Sequence, residues 1–213
     1  MRFIGDIHGN TRRYVDIANE SPDGISIQVG DFGMGFSIDY DILTKLNGEN
    51  YFIRGNHDSP NKCHEYLNFG KNNTRLSWVE DGMIWNYRNK LFLFIGGAFS
   101  IDQERRVDGV SWWHDEELTI NQFNIIIDKI SKYPRFDYII THDCPELGCK
   151  KIDKYYKNFT HWNSRTRHAL QSILEINQPK HWIHGHWHIS KNYKLGKTKV
   201  YSLAEYGFID IPC

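Results

Sequence analysis

Short apolar runs alternate with longer stretches of helical periodicity along most of the chain. Phe3-Ile4 predicts a strand that stops at Gly5-Asp6. Asn10 follows at an N-cap position, ahead of Tyr14, Val15 and Ala18 on one helical face. Residues 25–29 alternate as a second strand that stops at Gly30-Asp31. Residues 38–46 read as a short helix, and Tyr51-Phe52-Ile53 as a strand that stops at Gly55-Asn56-His57-Asp58. A hairpin is predicted for residues 83–87 and 91–95, turned around Asn89. Thr119 and Gln122 have capping-box spacing and open a helix through Ile125, Ile126 and Ile130. Tyr138-Ile139-Ile140 predicts a strand that stops at Thr141-His142. Residues 163–176 predict a helix with Ala169, Leu170, Ile173 and Leu174 on its apolar face. Trp182-Ile183 predicts a strand that stops at His184-Gly185-His186, and residues 189–195 and 200–203 a hairpin across Gly196. No repeat or linker interrupts this alternation. At 213 residues, the expectation is one α/β domain over residues 1–213.

One regularity outweighs any single assignment. Five predicted strands stop at a cluster of Asp, His and Asn, mostly beside Gly. In open α/β sheets, sites form outside the carboxyl ends of the strands, so five such ends would converge. In extended chain, residues i and i+2 point the same way. Asp6 and His8 can then grip one ion together, and His184 and His186 can project to one side. Imidazole and carboxylate ligands suit Zn, Fe or Mn, not the oxygen-only shell of Ca. Asp31 can bridge two cations through its two oxygens, and Asn56 offers a neutral amide oxygen. Two ions about 3.5–4 Å apart would clamp an in-line displacement at phosphorus.

Composition narrows the field. Lys plus Arg equals Asp plus Glu at 26 each, so the zero net charge speaks against a generic polyanion binder. No apolar run approaches the ~20 residues that span a bilayer. With no apolar leader at the N-terminus, an intracellular, cytoplasmic protein without membrane contact is expected. Four cysteines, Cys63, Cys144, Cys149 and Cys213, form no C-x-x-C pair and are too few for a disulfide-stapled fold; Cys144 and Cys149, near His142, read as structural. The eleven histidines are the unusual feature. His188 reads as a solvated hairpin residue, and His64, His114, His161, His168 and His181 as surface or packing residues.

The string Gly5-Asp6-Ile7-His8-Gly9, Gly30-Asp31, Gly55-Asn56-His57-Asp58, His142 and His184-Gly185-His186-Trp187-His188 resembles the calcineurin-like metallophosphoesterases. All five blocks occur in the family's order and span nearly the whole chain. The resemblance implies a two-sheet β-sandwich flanked by helices. It implies a dinuclear centre in which Asp6, His8, Asp31 and His186 hold the first metal, and Asp31, Asn56, His142 and His184 the second. The ions would be divalent transition metals, Mn in vitro, with Fe, Zn, Ni or Co as alternatives. A metal-bound hydroxide would attack a phosphate ester, His57 would protonate the leaving oxygen, and Asp58 would orient His57. After Asp31 comes Phe32-Gly33-Met34-Gly35 where the serine/threonine phosphatase branch has Asp-Arg-Gly. Asp58 stands where that branch has Glu. Both departures speak against a protein phosphatase, and the one after Asp31 leans the substrate toward a phosphodiester, a nucleotide or nucleic acid. A phosphomonoesterase, a protein phosphatase and a metal-binding scaffold are the alternatives. Oligomeric state is not legible.

Four further residues are candidates for substrate contact. Arg54 either reaches phosphate or makes a surface ion pair. The segment from Gly96 through Arg105 and Arg106 to Trp112-Trp113-His114 resembles stretches of small bacterial and phage metallophosphoesterases. A loop so dense in Gly, Arg and Trp often forms a cleft wall. Arg105 or Arg106 would pair with phosphate, and Trp112 or Trp113 would either stack on a base or pack beneath the loop. Residues 150–157 mix Lys and Tyr, as a nucleic-acid contact or a solvated loop would.

Overall fold

Parallel strands form the centre of two sheets, and antiparallel strands close their edges. The computed structural model describes residues 1–36, 38–69, 74–152 and 163–212. The chain runs β1 (Arg2–Ile4), α1 (Thr11–Asn19), β2 (Ile25–Gln28), α2 (Tyr40–Leu43), β3 (Glu49–Phe52), α3 (Pro60–Phe69) and β4 (Leu76–Trp78). It continues as β5 (Met83–Tyr87), β6 (Lys90–Ile95), α4 (Ile120–Ile130), β7 (Tyr138–Thr141), α5 (Glu146–Ile152) and α6 (Arg165–Ile176). The last elements are β8 (His181–His184), β9 (Lys191–Leu195), β10 (Thr198–Ser202) and β11 (Phe208–Asp210). One sheet has the order β11-β1-β2-β3-β4, the other β5-β6-β7-β8-β10-β9. β1 to β4 are parallel neighbours, with β11 antiparallel on the edge. β6, β7, β8 and β10 are parallel, and the hairpins supply the antiparallel edges β5 and β9.

Alternation along each strand sorts side chains among three apolar layers. Phe3, Ile27, Phe92, Phe94, Tyr138, Ile140 and Ile183 pack together between the sheets. Ile4 and Phe52 belong instead to a layer with Tyr14, Val15 and Ala18 of α1 and Tyr66 of α3. Leu93, Ile95, Ile139 and Trp182 join Phe123, Ile126 and Ile130 of α4 and Leu170 and Ile173 of α6. The result is two mixed sheets flanked by helices. Because both faces of the central strands are covered, those strands read as continuous apolar runs.

The helix caps follow the sequence closely. The Asn10 side chain accepts from Arg13 N, and Thr119 and Gln122 form the reciprocal box. The helix expected over 38–46 is shorter, because the Asp39 side chain caps it by accepting from Ile42 N. α3, β4, α5 and β11 carry too little periodic apolar sequence to announce themselves. β11, for example, is held by pairing with β1 and by the Arg2 guanidinium, whose Nε and Nη2 each lie 2.8 Å from an Asp210 carboxylate oxygen. Lys150 and Lys151 end α5; residues 153–157 of the basic and aromatic stretch lie outside the described residues, as do His161 and Cys213. No described helix is long and apolar enough to cross a membrane.

Candidate metal centre

The loops after β1, β2, β3, β7 and β8 meet although their strands belong to two sheets. Two groups of ligand atoms share Asp31. Asp6, His8, Asp31 and His188 form one, and Asp31, His142 and His186 the other, with all atoms in each group within 4.8 Å. His188 Nε2 lies 2.9 Å from Asp6 Oδ2 and 3.0 Å from His8 Nε2. His8 Nε2 lies 3.9 Å from Asp31 Oδ2, and His142 Nε2 lies 3.3 Å from Asp31 Oδ1. Asn56 joins the second group through Oδ1, 3.1 Å from His142 Nε2.

The backbone is bent to make this arrangement. His8, Asp31, His186 and His188 have φ of 47°, 57°, 66° and 50°. Left-handed conformations cost non-glycine residues about 1–3 kcal/mol each and persist where surroundings enforce them. Here Ile7 N and His8 N both donate to Asp31 O, at 3.0 and 2.8 Å, and His186 N donates to the Asp6 carboxylate at 3.1 Å. A Cβ at Gly55 would strike Asp31 Oδ1, and one at Gly185 would strike Asp6 Oδ1, so glycine flanks both carboxylates.

Electrostatics favour a cation. Burial would raise the Asp31 carboxyl, but His142 overrides it and holds Asp31 well below the usual carboxylate range. Burial would lower His142, yet the Asp31 charge and hydrogen bond push it up to about 10. His186 is lowered to about 4, chiefly by burial, and His188 is raised by its hydrogen bond to Asp6. His142 Nδ1 lies 2.9 Å from Val29 O, which can only accept, so Nε2 is the atom turned to Asp31 and Asn56. His142 Nε2, turned to Asp31 and Asn56, is the atom that would ligate a cation, and a bound cation would compete with a proton there. Carboxylates, imidazoles and one amide oxygen around a shared Asp31 fit a pair of divalent transition metals.

Several sequence expectations need correction. His184 does not face this cluster. It ends β8 with its side chain buried; Nδ1 lies 3.0 Å from Gly185 O and Nε2 3.1 Å from the Tyr193 hydroxyl. The positive φ at His186 and His188 breaks the extended period; His186 stands with Asp31 and His142 where His184 was expected, and His188 stands with Asp6 and His8 where His186 was expected. Asp58 does not touch His57. Its carboxylate accepts from Phe32 N, Gly33 N, Met34 N and Gly55 N at 2.7–3.0 Å, pinning two loops together. His57 N donates instead to Asp31 Oδ1 at 2.7 Å. Its ring nitrogens Nε2 and Nδ1 lie 2.8 and 3.2 Å from Arg106 Nη2 and Nη1. Burial lowers the His57 pKa, and the Arg106 charge adds to that effect against Asp31.

Beside the cluster opens a cavity of about 420 Å³, lined in part by Asp31, Asn56, His57, Arg106, Trp187 and Ile189. Arg54 is not among its walls. It is buried, with Nε 2.8 Å from Asp81 Oδ2 and Nη1 donating to Glu116 O. Arg105 is exposed and away from the cavity, and Arg106 takes the inward position. Neither Trp112 nor Trp113 lines the cavity; Trp113 is buried, its ring 5.2 Å from Phe36. Sequence reading missed Arg167 and Asp143. Both are buried and paired at 3.0 Å, and Asp143 also accepts from Trp187 Nε1 at 2.9 Å. The Thr-His-Asp string containing Asp143 was the only available signal.

The family model for calcineurin-like phosphoesterases matches residues 2–190. No curated protein sequence matches. Among solved structures, phosphopantetheinyl hydrolase from Mycobacterium tuberculosis aligns over 96% of this chain and 89% of its own, with a TM-score of 0.62 at 15% identity. GAP50, the anchor in the inner membrane complex of Plasmodium, aligns over 95% of this chain and 70% of its own, with a TM-score of 0.53 at 10% identity. A candidate 5′-nucleotidase from Staphylococcus aureus aligns over 97% of this chain and 48% of its own, with a TM-score of 0.56 at 11% identity.

Proposed function

The chain belongs to the calcineurin-like phosphoesterases, metal-dependent phosphoric ester hydrolases, and we propose that it cleaves a phosphodiester or nucleotide at a dinuclear centre. The observation that carries this reading is the Asp31 carboxylate shared by two ligand groups at the edge of a cavity. Asp6, His8, Asp31 and His188 would hold one cation, and Asp31, Asn56, His142 and His186 the other. Mn is the first choice, and the same donors accept Fe, Zn, Ni or Co. Bound cations would supply a nucleophilic water near neutral pH and offset charge on the phosphoryl oxygens.

The chain's own groups supply orientation and the proton. His57 faces the cavity with its backbone N–H tied to Asp31. Burial and Arg106 keep its imidazole neutral until an anion arrives; a phosphate beside it would raise its pKa and ready it to protonate the leaving oxygen. Arg106 is the cation positioned to meet a phosphate oxygen, and it replaces Arg54 and Arg105 in that role.

Charge and shape favour a diester. A diester carries one negative charge and a monoester carries up to two. Both cavity arginines are already paired, Arg106 with Asp102 at 2.8 Å and Arg167 with Asp143 at 3.0 Å, which suits the smaller charge. Ile101, Trp187 and Ile189 give the cavity apolar walls for an esterified group. Phe36 is 45% exposed with its ring 6.1 Å from His57, so it can stack on a base at the rim. The likeness to a 5′-nucleotidase supports a nucleotide substrate, and with it the monoester alternative. Both sheets feed the one site, consistent with residues 1–213 acting as one domain. The free thiols Cys63, Cys144 and Cys149 suit a reducing, cytoplasmic setting. A non-catalytic scaffold is the second reading, supported by the likeness to the Plasmodium anchor.

The test is hydrolysis by Mn-loaded protein of bis-p-nitrophenyl phosphate, p-nitrophenyl phosphate and a short oligonucleotide, in wild type and His57→Ala. Faster turnover of the diesters is expected, with His57→Ala losing roughly 10²–10⁴-fold while keeping its metal. Turnover of the monoester alone would make the protein a phosphatase. No turnover with two metals bound would support the scaffold.

A further inference from the structure

The segment between β6 and α4, distinctive in sequence for its Gly, Arg and Trp, carries two buried polar residues linked to the centre by hydrogen bonds. Ser100 is 1% exposed and Glu116 3%. They form a chain that ends on Asn56. Asn56 Nδ2 donates to Ser100 Oγ at 3.0 Å, and Ser100 Oγ donates to Glu116 Oε2 at 2.6 Å. Ser100 N donates to the other oxygen, Glu116 Oε1, at 2.7 Å.

Proton polarity fixes the direction of this chain. An ionised carboxylate only accepts, so the single hydroxyl hydrogen of Ser100 goes to Glu116 and its lone pairs face Asn56. Asn56 must then present its NH₂ to Ser100. Its Oδ1 is left pointing the opposite way, toward His142 Nε2 and the second ligand group. With the amide reversed, two N–H hydrogens would face the cation position, and a donor cannot ligate. Burial pushes the Glu116 carboxyl upward in pKa, and the two hydrogen bonds from Ser100 work against that.

The relay is anchored beside Asn56 itself. Arg54 Nη1 donates to Asp115 O and Glu116 O at 3.2 and 2.8 Å, and Gly97 N donates to Arg54 O at 2.9 Å. The buried Arg54 therefore holds both ends of the segment against the strand-end loop that carries Asn56.

We propose that Ser100 and Glu116 are positioning residues that fix the amide orientation of Asn56 and so set the affinity of the cation position formed with Asp31, His142 and His186. The proposal rests on Asn56 being a ligand, as in the function proposed above. Outer partners of this kind are typically worth 10–100-fold in metal affinity.

The experiment is titration of metal-free protein with Mn²⁺ by calorimetry, with stoichiometry from native mass spectrometry and the visible spectrum of the Co²⁺ form. Ser100→Ala removes the relay. Glu116→Gln keeps its shape but puts a donor where a carboxylate accepted. Each should weaken one of two ions by about 10–100-fold and leave the other unchanged. The Co²⁺ spectrum should change in both variants, and Ser100→Thr should restore it. Asn56→Ala is the reference. If Asn56→Ala loses one ion while Ser100→Ala and Glu116→Gln bind both as wild type does, the relay is overturned and the ligand assignment stands. If Asn56→Ala also binds both ions normally, the ligand assignment itself fails and the relay falls with it.

Discussion

Two clusters of metal-ligating residue types adjoin at the ends of β7 and β8, and they differ in almost everything else. Asp6, His8, Asp31, His142, His186 and His188 converge on each other beside an open cavity, and four of them hold left-handed backbone. Asp143, Cys144 and Cys149, with His184 and Tyr193 nearby, are sealed inside, and none of them has positive φ. In the sealed cluster the partners are the protein's own. Asp143 accepts from Arg167, Trp187 and Cys144 N; His184 meets Gly185 O and the Tyr193 hydroxyl; the two thiols lie 3.5 Å apart. In the open cluster, acceptors and imidazole nitrogens face one another, and the Asp31 carboxylate pushes the His142 imidazole up in pKa against its burial. Residue type alone would make both metal sites. Convergence, access and enforced strain separate the one built to receive a ligand from the one built to pack.

The largest effects should split along that line. Asp31→Asn removes the shared carboxylate, so both ions should be lost. Turnover should drop by about a thousandfold or more, corresponding to several kcal/mol of charge stabilisation. Metal analysis beside single-substrate kinetics reads this, and retention of two ions would sink the shared-ligand idea. Asp143→Asn should do the reverse. It breaks the buried ion pair with Arg167, at a stability cost of about 3–5 kcal/mol, while metal content persists. Asp143 is held below its ordinary pKa by Arg167 and His186 against burial. A carboxyl depressed on folding contributes stability that is present above its unfolded pKa of about 3.9 and is lost as pH falls toward the folded value. Denaturant melts should therefore show wild type losing stability below about pH 4, with a flatter profile in Asp143→Asn. Parallel profiles would mean the pair contributes nothing.

The histidines of the last block give a sharper contrast. His188→Ala should weaken one ion by at least about a hundredfold, beyond the 10–100-fold typical of outer partners. His184→Ala should keep both ions and lose about 1–3 kcal/mol of stability, since a buried imidazole and its hydrogen bond with the Tyr193 hydroxyl are removed. The opposite pattern in calorimetry and thermal melts would restore the assignment expected from sequence.

That contrast marks where the sequence is legible and where it is not. Most of the strands, the caps at Asn10 and Thr119 and the convergence of five blocks follow from local pattern, because strand ends and N-caps are decided by neighbouring residues. Sequence alone reads the last block two residues early, as His184 and His186 in place of His186 and His188; that slip has a local cause too, but one invisible as text. Spacing of i and i+2 assumes extended chain, and the turn at His186 cancels it. Asp58 was misread for a related reason. Adjacency suggested it served His57, whereas its four backbone donors come from two loops more than twenty residues apart. Arg54 found Asp81, and Asn56 found Ser100, across separations that no window along the chain reveals.

The smallest effect tests whether the open cluster extends its reach into the cavity. Arg105 and Arg106 are adjacent and equal in charge, but only Arg106 lines the cavity and meets His57. A charged hydrogen bond to a phosphate oxygen is worth about 1.5–3 kcal/mol, and Arg106 already shares its charge with Asp102, so the lower end applies. Arg106→Ala should lower kcat/KM about tenfold with both ions retained. Arg105→Ala, at an exposed position, should stay within about 0.5 kcal/mol of wild type. Equal losses in both variants would mean that general positive charge near the mouth attracts the substrate, and a ten- to hundredfold rise in salt would then erase the effect of each. A loss confined to Arg106 and insensitive to salt would mark a direct contact, and would extend the open cluster's chemistry from the cations to the ester it cuts.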